Sequence, residues 1–254
     1  MDKNFDDLVD IFKKRVYSAG KGNVRFEVLQ YDINLGIPEL FTSSHLRVLD
    51  AGGGMGQMSA WLAQEGNVVS LCDVSAQMLE EAKNLFNSLN LDNIPSIYNI
   101  PIQKLSDTFK QNSFDVILLH GVIEWMDEPL EAIKCLIPLL KQGGAFSILV
   151  HNLDKVILKW GINGQYENAI TGTPKRVRKL TPFNSLSGKC LEDFFSRETS
   201  LKFVSKAGIR IFYGFFEKLT KEVCNDTFLL EKKYCRIEPF ASLGEHTHYI
   251  LRKV

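Results

Sequence analysis

The chain predicts an open α/β fold, a mostly parallel sheet wound on both faces by helices, and three observations carry that reading. Apolar runs of strand length alternate with helix-periodic segments at short intervals between residues 44 and 150, the pattern of parallel strands joined by helical crossovers. One run, FDVILLH at 114–120, is apolar almost throughout, as a strand buried on both faces must be. The segment VLDAGGGMGQ at 48–57 couples a strand end to a glycine-rich turn and a helix start.

Taken in order, Phe5, Leu8, Val9 and Phe12 fall at helical spacing within residues 4–15, and Val24 to Phe41 carries a second helical period after the break SAGKG at 18–22. The first strand is 48–51, followed by a helix at 57–65 and a second strand at 67–72. Ser75 is placed to cap a helix over 76–89, which Asn90 to Asn93 close. Ile97 to Ile100 reads as a third strand and 114–120 as a fourth. Pro129 opens a helix to residue 140 whose end is marked by the Gln-Gly-Gly at 142–144, and Ala145 to Val150 is the fifth strand. Residues 151–187 lose periodicity and are rich in Asn, Gly, Pro, Thr and Ser, so an irregular segment over the carboxyl end of the sheet is expected. Residues 188–196 read as helix, 200–213 as strand, 216–234 as helix and 246–252 as strand.

The glycine turn gives the first functional clue. Gly52, Gly54 and Gly56 let the backbone turn tightly and approach a ligand that a side chain would block. Asp73 ends the second strand, where a carboxylate can accept both hydroxyls of a ribose while backbone amides near the helix start meet polar groups of the ligand. The implied ligand is a nucleoside cofactor. A dinucleotide fingerprint needs glycine at the position Gln57 holds, and here glycine comes one residue early.

Composition sets the outer bounds. The chain has 254 residues, enough for one large domain, with 45% hydrophobic and 24% charged residues, ordinary values for a soluble globular protein. Lys and Arg number 30 and so do Asp and Glu, so there is no global basic field to draw in nucleic acid and any such binding needs a local patch. One candidate patch exists: residues 151–190 hold seven Lys or Arg against Asp154 and Glu167. It is either a solvated face or a nucleic-acid contact. The five cysteines are scattered with no CxxC pair, which fits reduced thiols in a reducing compartment. The opening MDKNFDDLVDIFKKRV lacks the apolar core of a signal peptide, and no stretch approaches the ~20 apolar residues of a membrane span, so a cytoplasmic location without membrane attachment is expected. His246 and His248 alternate on a strand with no third ligand spaced to them, and no metal is assigned.

The form Asp50-x-Gly52-x-Gly54-x-Gly56, with Asp73 matching the ribose-binding acid, resembles motif I of the class I S-adenosylmethionine methyltransferases. That resemblance covers roughly residues 44–150, through FDVILLHGVIEWMDEP and LLKQGGAFSILV, and implies a Rossmann-like seven-stranded sheet of order 3-2-1-4-5-7-6 with an antiparallel edge hairpin. Three further stretches narrow it: NFDDLVDIFKKRVYSAGKGNVR, TPKRVRKLTP and YCRIEPFASLGEHTHYI together look like the tRNA 5-carboxymethoxyuridine methyltransferase family, nearly end to end. The resemblance implies one methyltransferase domain over 1–254, with N-terminal helices at 1–43, a core at 44–150, a basic lid or substrate segment at 151–187 and sheet completion at 188–254.

By that resemblance the cofactor is S-adenosylmethionine and the partner a tRNA anticodon loop, whose wobble uridine carries a 5-oxyacetate group that becomes a methyl ester. Carried over by position, Arg25 matches the arginine near the methionine end of the cofactor, Gly52, Gly53 and Gly54 the backbone contacts, and Asp73 the ribose acid. Ile102 and Gln103 sit where the family flanks the adenine, and His120 ends the fourth strand beside the cofactor, although a strand-end histidine is also a common core residue. Two positions depart from the family, Met55 where it carries an acid and His151 where it carries a tyrosine.

A carboxylate with a pKa near ~4 is ionised at neutral pH, so its methylation needs no general base and no catalytic residue is nominated. The enzyme's task is to align the attack and remove water from a weakly nucleophilic oxygen. Candidate substrate contacts are His151, Asn152, Lys175, Arg176, Arg178 and Lys179, with Tyr166 and Trp160 able either to stack on a splayed base or to be buried against the sheet. A methyltransferase for a small carboxylate or hydroxyl metabolite, and a non-catalytic cofactor-binding regulator, are the rival readings. The sequence does not speak to oligomeric state.

Overall fold

A computed structural model describes residues 2–9, 11, 21–43, 45–175, 180–213 and 221–254. Its centre is a seven-stranded sheet of order β3-β2-β1-β4-β5-β7-β6. The strands are β1 (Arg47–Ala51), β2 (Val68–Cys72), β3 (Ser96–Tyr98), β4 (Phe114–His120), β5 (Leu140–His151), β6 (Leu201–Ile209) and β7 (His246–Lys253). The first five pair in parallel, and β7 runs antiparallel between β5 and β6. This is the expected strand order, edge hairpin included.

Between the strands run α1 (Lys21–Gly36), α2 (Glu39–Thr42), α3 (Gln57–Gln64), α4 (Ala76–Leu89), α5 (Leu105–Thr108), α6 (Pro129–Leu136), α7 (Leu153–Ile162), α8 (Tyr166–Thr171), α9 (Gly188–Arg197) and α10 (Lys221–Tyr234). Side chains alternate across each strand, so the sheet has two apolar faces and each needs its own cover. On one, Val48, Val116, Leu118, Ala145 and Ile250 pack with Val28, Leu29 and Ile33 of α1 and Leu62 of α3. On the other, Leu49, Ile117, Phe146, Ile148 and Tyr249 pack with Ile133 and Leu136 of α6 and Leu191 and Phe194 of α9.

Several boundaries differ from the sequence reading, each for a local reason. The second N-terminal helix already includes Lys21, inside the expected break, and stops at Gly36 rather than Phe41, where Pro38 intervenes before the single turn of α2. The helix expected to run to residue 140 ends at Leu136 and passes into a 3-10 turn, Ile137–Leu139, built on Pro138, so β5 begins at Leu140. The expected strand 200–213 stops at Ile209. The segment 151–187 is not irregular throughout: it contains α7 and α8. Leu153, Val156, Ile157 and Trp160 hold the helical spacing that the surrounding polar residues obscured. Of the helix expected at 4–15, the described part shows a 3-10 turn at Asp6–Leu8, and residues 12–20 lie outside the described residues.

The register sets the carboxyl ends of β1, β2 and β4 at one level, with Ala51 opposite Cys72 and Asp50 opposite Leu118. Open α/β sheets bind ligands at this edge. Phe146 in the middle of β5 is fully buried between β4 and β7. Phe146→Ala is expected to lower unfolding free energy by roughly 3–5 kcal/mol, read as a reduced denaturant midpoint at unchanged slope.

Candidate functional site

The turn after β1 forms because the backbone of Gly52 and Gly53 donates to the Cys72 carbonyl at 2.8 and 3.2 Å, tying the ends of β1 and β2 together. Beneath it lies the Asp50 carboxylate, 1% exposed, which accepts from Ser59 Oγ of α3 at 2.7 Å. Burial pushes the Asp50 carboxyl up to about 6, with the Ser59 hydrogen bond working against that rise. A Cβ on Gly53 would stand 2.4 Å from Asp50 Oδ2, so position 53 admits no side chain. Gly54 is different: its φ is +55°, and the direction a Cβ would take is open apart from Asp73 Oδ2 at 4.0 Å. It is a backbone surface left bare beside a carboxylate.

Asp73 Oδ2 accepts from the Gly54 amide at 3.0 Å and Oδ1 from the Ser75 amide at 2.8 Å. Its carboxyl is raised by burial, against which the amides of Ser75, Gly54 and Val74 act. Ser75 caps α4 by accepting from Met78 N at 3.1 Å. These bonds fix the aspartate and leave the remaining lone pairs of both oxygens for a diol.

A cleft opens above this turn, about 1230 Å³ counting the solvent at its open mouth. Arg25, Gly52, Gly53, Gly54, Asp73, Ile102, Gln103 and His120 all line it, so every residue the sequence assigned to the cofactor stands around one cavity. Arg25 comes from α1, and its charge reaches His120 and Glu124. Ile102 is nearly buried, while the Gln103 side chain donates to Asp2 Oδ2 at 2.8 Å. His120 is neutral at physiological pH, because burial holds its pKa well below the usual histidine value.

Residues 2–6, of which 4–6 are expected in a helix, instead cross this cleft. Asp2 binds Gln103 and the Asp127 amide, Lys3 N donates to the Trp125 carbonyl at 3.0 Å, and Phe5 meets Trp125 edge-on at 5.1 Å between ring centres. On the opposite rim, Asp6 Oδ1 accepts from Ser75 Oγ at 2.6 Å and from Gln77 N at 3.2 Å at the start of α4. The strap therefore joins the Gln103 rim of the cleft to the rim at the start of α4. Alternating charges in this segment gave no sign of it.

The expected substrate contacts do not converge as the cofactor ones do. Asn152 is 2% exposed and spent on structure: Oδ1 caps α7 through Asp154 N at 3.0 Å, and Nδ2 donates to the carbonyls of Ser242 and Gly244 at 2.9 Å each. Both amide donors are used, so its expected role as a substrate contact is corrected to that of a helix cap and loop anchor. His151 ends β5, bonded through Nδ1 to Ser185 Oγ at 2.8 Å and ring-to-ring with His246 at 5.7 Å. Burial lowers its pKa. Tyr166 opens α8 and is 68% exposed, which decides against burial on the sheet. Lys175 is exposed and pairs with Glu167 of α8. Arg176, Arg178 and Lys179 lie outside the described residues.

Sequence reasoning missed Glu124, in the 3-10 turn after β4. It is 4% exposed, and Oε2 has no hydrogen-bond partner among the described residues. Burial pushes its carboxyl up to about 7, opposed by its own amide, the charge of Arg25 and the His151 amide. Among the described residues no group of three or more His, Cys, Asp or Glu is placed to hold a metal, and no helix is long and apolar enough to cross a membrane.

Residues 49–148 match the methyltransferase-domain family model. Over nearly its whole length the chain is similar to the tRNA 5-carboxymethoxyuridine methyltransferase of Escherichia coli, 30% identical over 254 residues that cover 99% of this chain and 97% of that protein. Among solved structures it is similar to magnesium protoporphyrin IX methyltransferase from Synechocystis with bound SAH, at TM-score 0.64 and 14% identity over 98% of this chain and 96% of that one. It is also similar to the N-methyltransferase NodS from Bradyrhizobium japonicum in complex with S-adenosyl-L-homocysteine, at TM-score 0.56 and 12% identity over 94% of this chain and 90% of that one. At those identities the two structures speak for the fold.

Glu124 makes a stability prediction. Its folded pKa, about 7, is above the unfolded value of 4.5, so its contribution is fully present below 4.5 and is lost as pH rises through 7. Glu124→Gln removes that loss. The variant is expected to gain stability relative to the parent as pH climbs from 4.5 to 8, by on the order of 2–3 kcal/mol, measured by denaturant titration at each pH. A difference independent of pH would place a charged carboxylate there instead.

Proposed function

Because the chain belongs to the tRNA 5-carboxymethoxyuridine methyltransferase family, we propose that it transfers the methyl group of S-adenosylmethionine to the carboxylate of a 5-carboxymethoxyuridine at the wobble position of a tRNA. It is a S-adenosylmethionine-dependent methyltransferase, and the observation that carries the finer reading is the end-to-end likeness to that tRNA enzyme. The cleft fits the cofactor: a bare backbone surface at Gly54 stands beside the fixed carboxylate of Asp73, and a buried ring nitrogen of His120 has no partner among the described residues.

In this reading Asp73 takes the ribose hydroxyls, Ile102 and Gln103 flank the adenine, and Arg25 pairs with the amino-acid carboxylate. The bound cofactor supplies a methyl group already electrophilic at its sulfonium. The protein's residues have no proton to remove from an ionised carboxylate, so their work is to orient the oxyacetate and to exclude water. Over-tight pairing would hold the substrate in its ground state, so a few orienting donors serve better than a neutralising clamp.

Residues 151–187 act as the substrate segment. Tyr166 at 68% exposure offers an open ring on which an anticodon-loop base stacks, on the helix whose Glu167 pairs with Lys175 and ahead of Arg176, Arg178 and Lys179 in the chain. Ile162 and Ile170 are also exposed on α7 and α8, at 64% and 84%, which gives this arm an apolar strip beside its charges. The enzyme works where tRNA is modified, in the cytoplasm.

Three outcomes are expected. Asp73→Ala abolishes cofactor binding by calorimetry, since two hydrogen bonds to a charged acceptor are lost at ~1.5–3 kcal/mol each; unchanged affinity would show the acid is misassigned. Tyr166→Ala combined with Lys175→Ala weakens tRNA binding by about tenfold or more and shallows its salt dependence while sparing the cofactor; tRNA affinity equal to the parent's would move the RNA surface elsewhere. Mass spectrometry of wobble nucleosides from cells lacking the gene shows the free acid in place of the methyl ester, and persistence of the ester would overturn the substrate.

A further inference from the structure

The sheet face beneath α1 carries three adjoining polar side chains among its apolar residues. Along β4, β5 and β7 the side chains on this face include Val116, Leu118, Ala145, Leu149 and Ile250. The same alternation brings His120, Ser147 and His248 to it. Ser147 Oγ lies 2.8 Å from His120 Nε2 and 2.7 Å from His248 Nε2. His248 Nδ1 lies 2.5 Å from Asp32 Oδ2 on α1, and Asp32 Oδ1 accepts from Arg236 Nε at 2.5 Å.

Ser147, His248 and Asp32 are all 0% exposed. A continuous hydrogen-bonded chain thus runs from a guanidinium at the surface to a histidine that lines the cofactor cleft. Burying four polar side chains in an apolar layer costs free energy that Val, Leu or Ala at these positions would not.

The chain has a direction, fixed at its charged end. Arg236 balances the Asp32 carboxylate, which accepts the Nδ1 proton of His248; a ring carrying that one proton presents a bare Nε2. His248 Nε2 is then an acceptor and takes the Ser147 hydroxyl proton. Ser147 Oγ in turn accepts from His120, whose one proton sits on Nε2. His120 Nδ1 is left as a bare lone pair, buried and without a partner among the described residues.

We propose that Asp32, His248 and Ser147 are positioning residues that hold the His120 proton on Nε2, so that Nδ1 accepts a hydrogen bond from the α-ammonium group of the bound cofactor while Arg25 takes its carboxylate. This rests on the S-adenosylmethionine reading of the cleft. The two protein groups complement the zwitterionic end of the ligand: a fixed cation for the anion, and a neutral acceptor for the cation. Burial keeps His120 unprotonated, and the charge of Arg25 works in the same direction. With the proton on Nδ1, the same ring would point N–H at N–H and repel the ligand.

The test is the tautomer, read without any ligand. Nitrogen-15 spectra of the histidine rings at neutral pH, with His120 assigned by its loss in His120→Gln, are expected to show a protonated Nε2 and an unprotonated Nδ1. Asp32→Asn keeps the shape and Arg236's acceptor but turns an amide donor toward His248, which reverses every bond along the chain and moves the His120 proton to Nδ1. Its affinity for S-adenosylhomocysteine by calorimetry should fall about tenfold or more. Ser147→Ala cuts the chain and should give both His120 tautomers with a smaller loss of affinity; it decides the matter if Asp32→Asn does not fold.

A parent protein with Nδ1 protonated, or a folded variant that shifts the tautomer yet binds as tightly as the parent, overturns the proposal. A parent that binds no S-adenosylhomocysteine overturns the cofactor reading instead, and the spectra still report whether the relay fixes the ring.

Discussion

The site depends on one steric fact, that the Asp50 carboxylate occupies the place where a side chain at position 53 would project. With 2.4 Å between Oδ2 and that missing Cβ, the turn after β1 lies flat against its own strand. The amides of Gly52 and Gly53 then reach the Cys72 carbonyl, and the Gly54 amide reaches Asp73. Ser59 gives the buried acid a donor from the first turns of α3, so the helix is held to the same point. Remove the carboxylate or add a side chain, and strand end, turn, helix start and ribose acid lose their common reference.

On that base the cleft is bridged by a segment remote in sequence from both of its rims. Residues 2–6 bridge the cleft through Asp2 and Asp6, and each aspartate ends on a backbone amide as well as a side chain. Carboxylate-to-amide bonds of this kind need no partner charge and survive salt better than surface ion pairs. Its hydrogen bonds to Gln103, Trp125, Asp127, Ser75 and Gln77 all fall on the turns and helix starts that rim the cleft.

The legible parts were those in which neighbours in sequence are neighbours in space. The glycine turn, Asp73 nineteen residues beyond Gly54, the continuous apolar run of β4 and the Ser75 cap all follow from local rules, and the sheet order came with the family resemblance. Asn152 misled because a polar residue at a strand end looks alike whether it meets a ligand or caps the next helix, and its partners Ser242 and Gly244 are some ninety residues away. α7 was masked by the polar composition around it. The relay was invisible for a deeper reason: Ser147 and His248 are 101 residues apart, Asp32 and His248 216, and only the β5-β7-β6 edge together with α1 makes them adjacent. A histidine pair at 246 and 248 carried a weak metal signal in one dimension and a different meaning in three.

That meaning bears on how the end of the sheet treats charge. His120, His151 and His246 all stand at the carboxyl edge, and burial lowers the pKa of each, so the edge presents neutral imidazoles around the permanent charge of Arg25. A protonated ring there would repel a sulfonium donor and grip a substrate carboxylate, weakening one reactant and holding back the other. Neutral rings avoid both, but a neutral imidazole offers either a donor or an acceptor at each nitrogen and must be told which. For His151 the answer comes from Ser185 alone, a hydroxyl able to turn either way. For His120 it comes from a carboxylate two hydrogen-bonded groups away, and a charge cannot turn round. The ring nearest the cofactor is thus the one whose polarity is anchored, which is where an error in proton placement would cost the most binding.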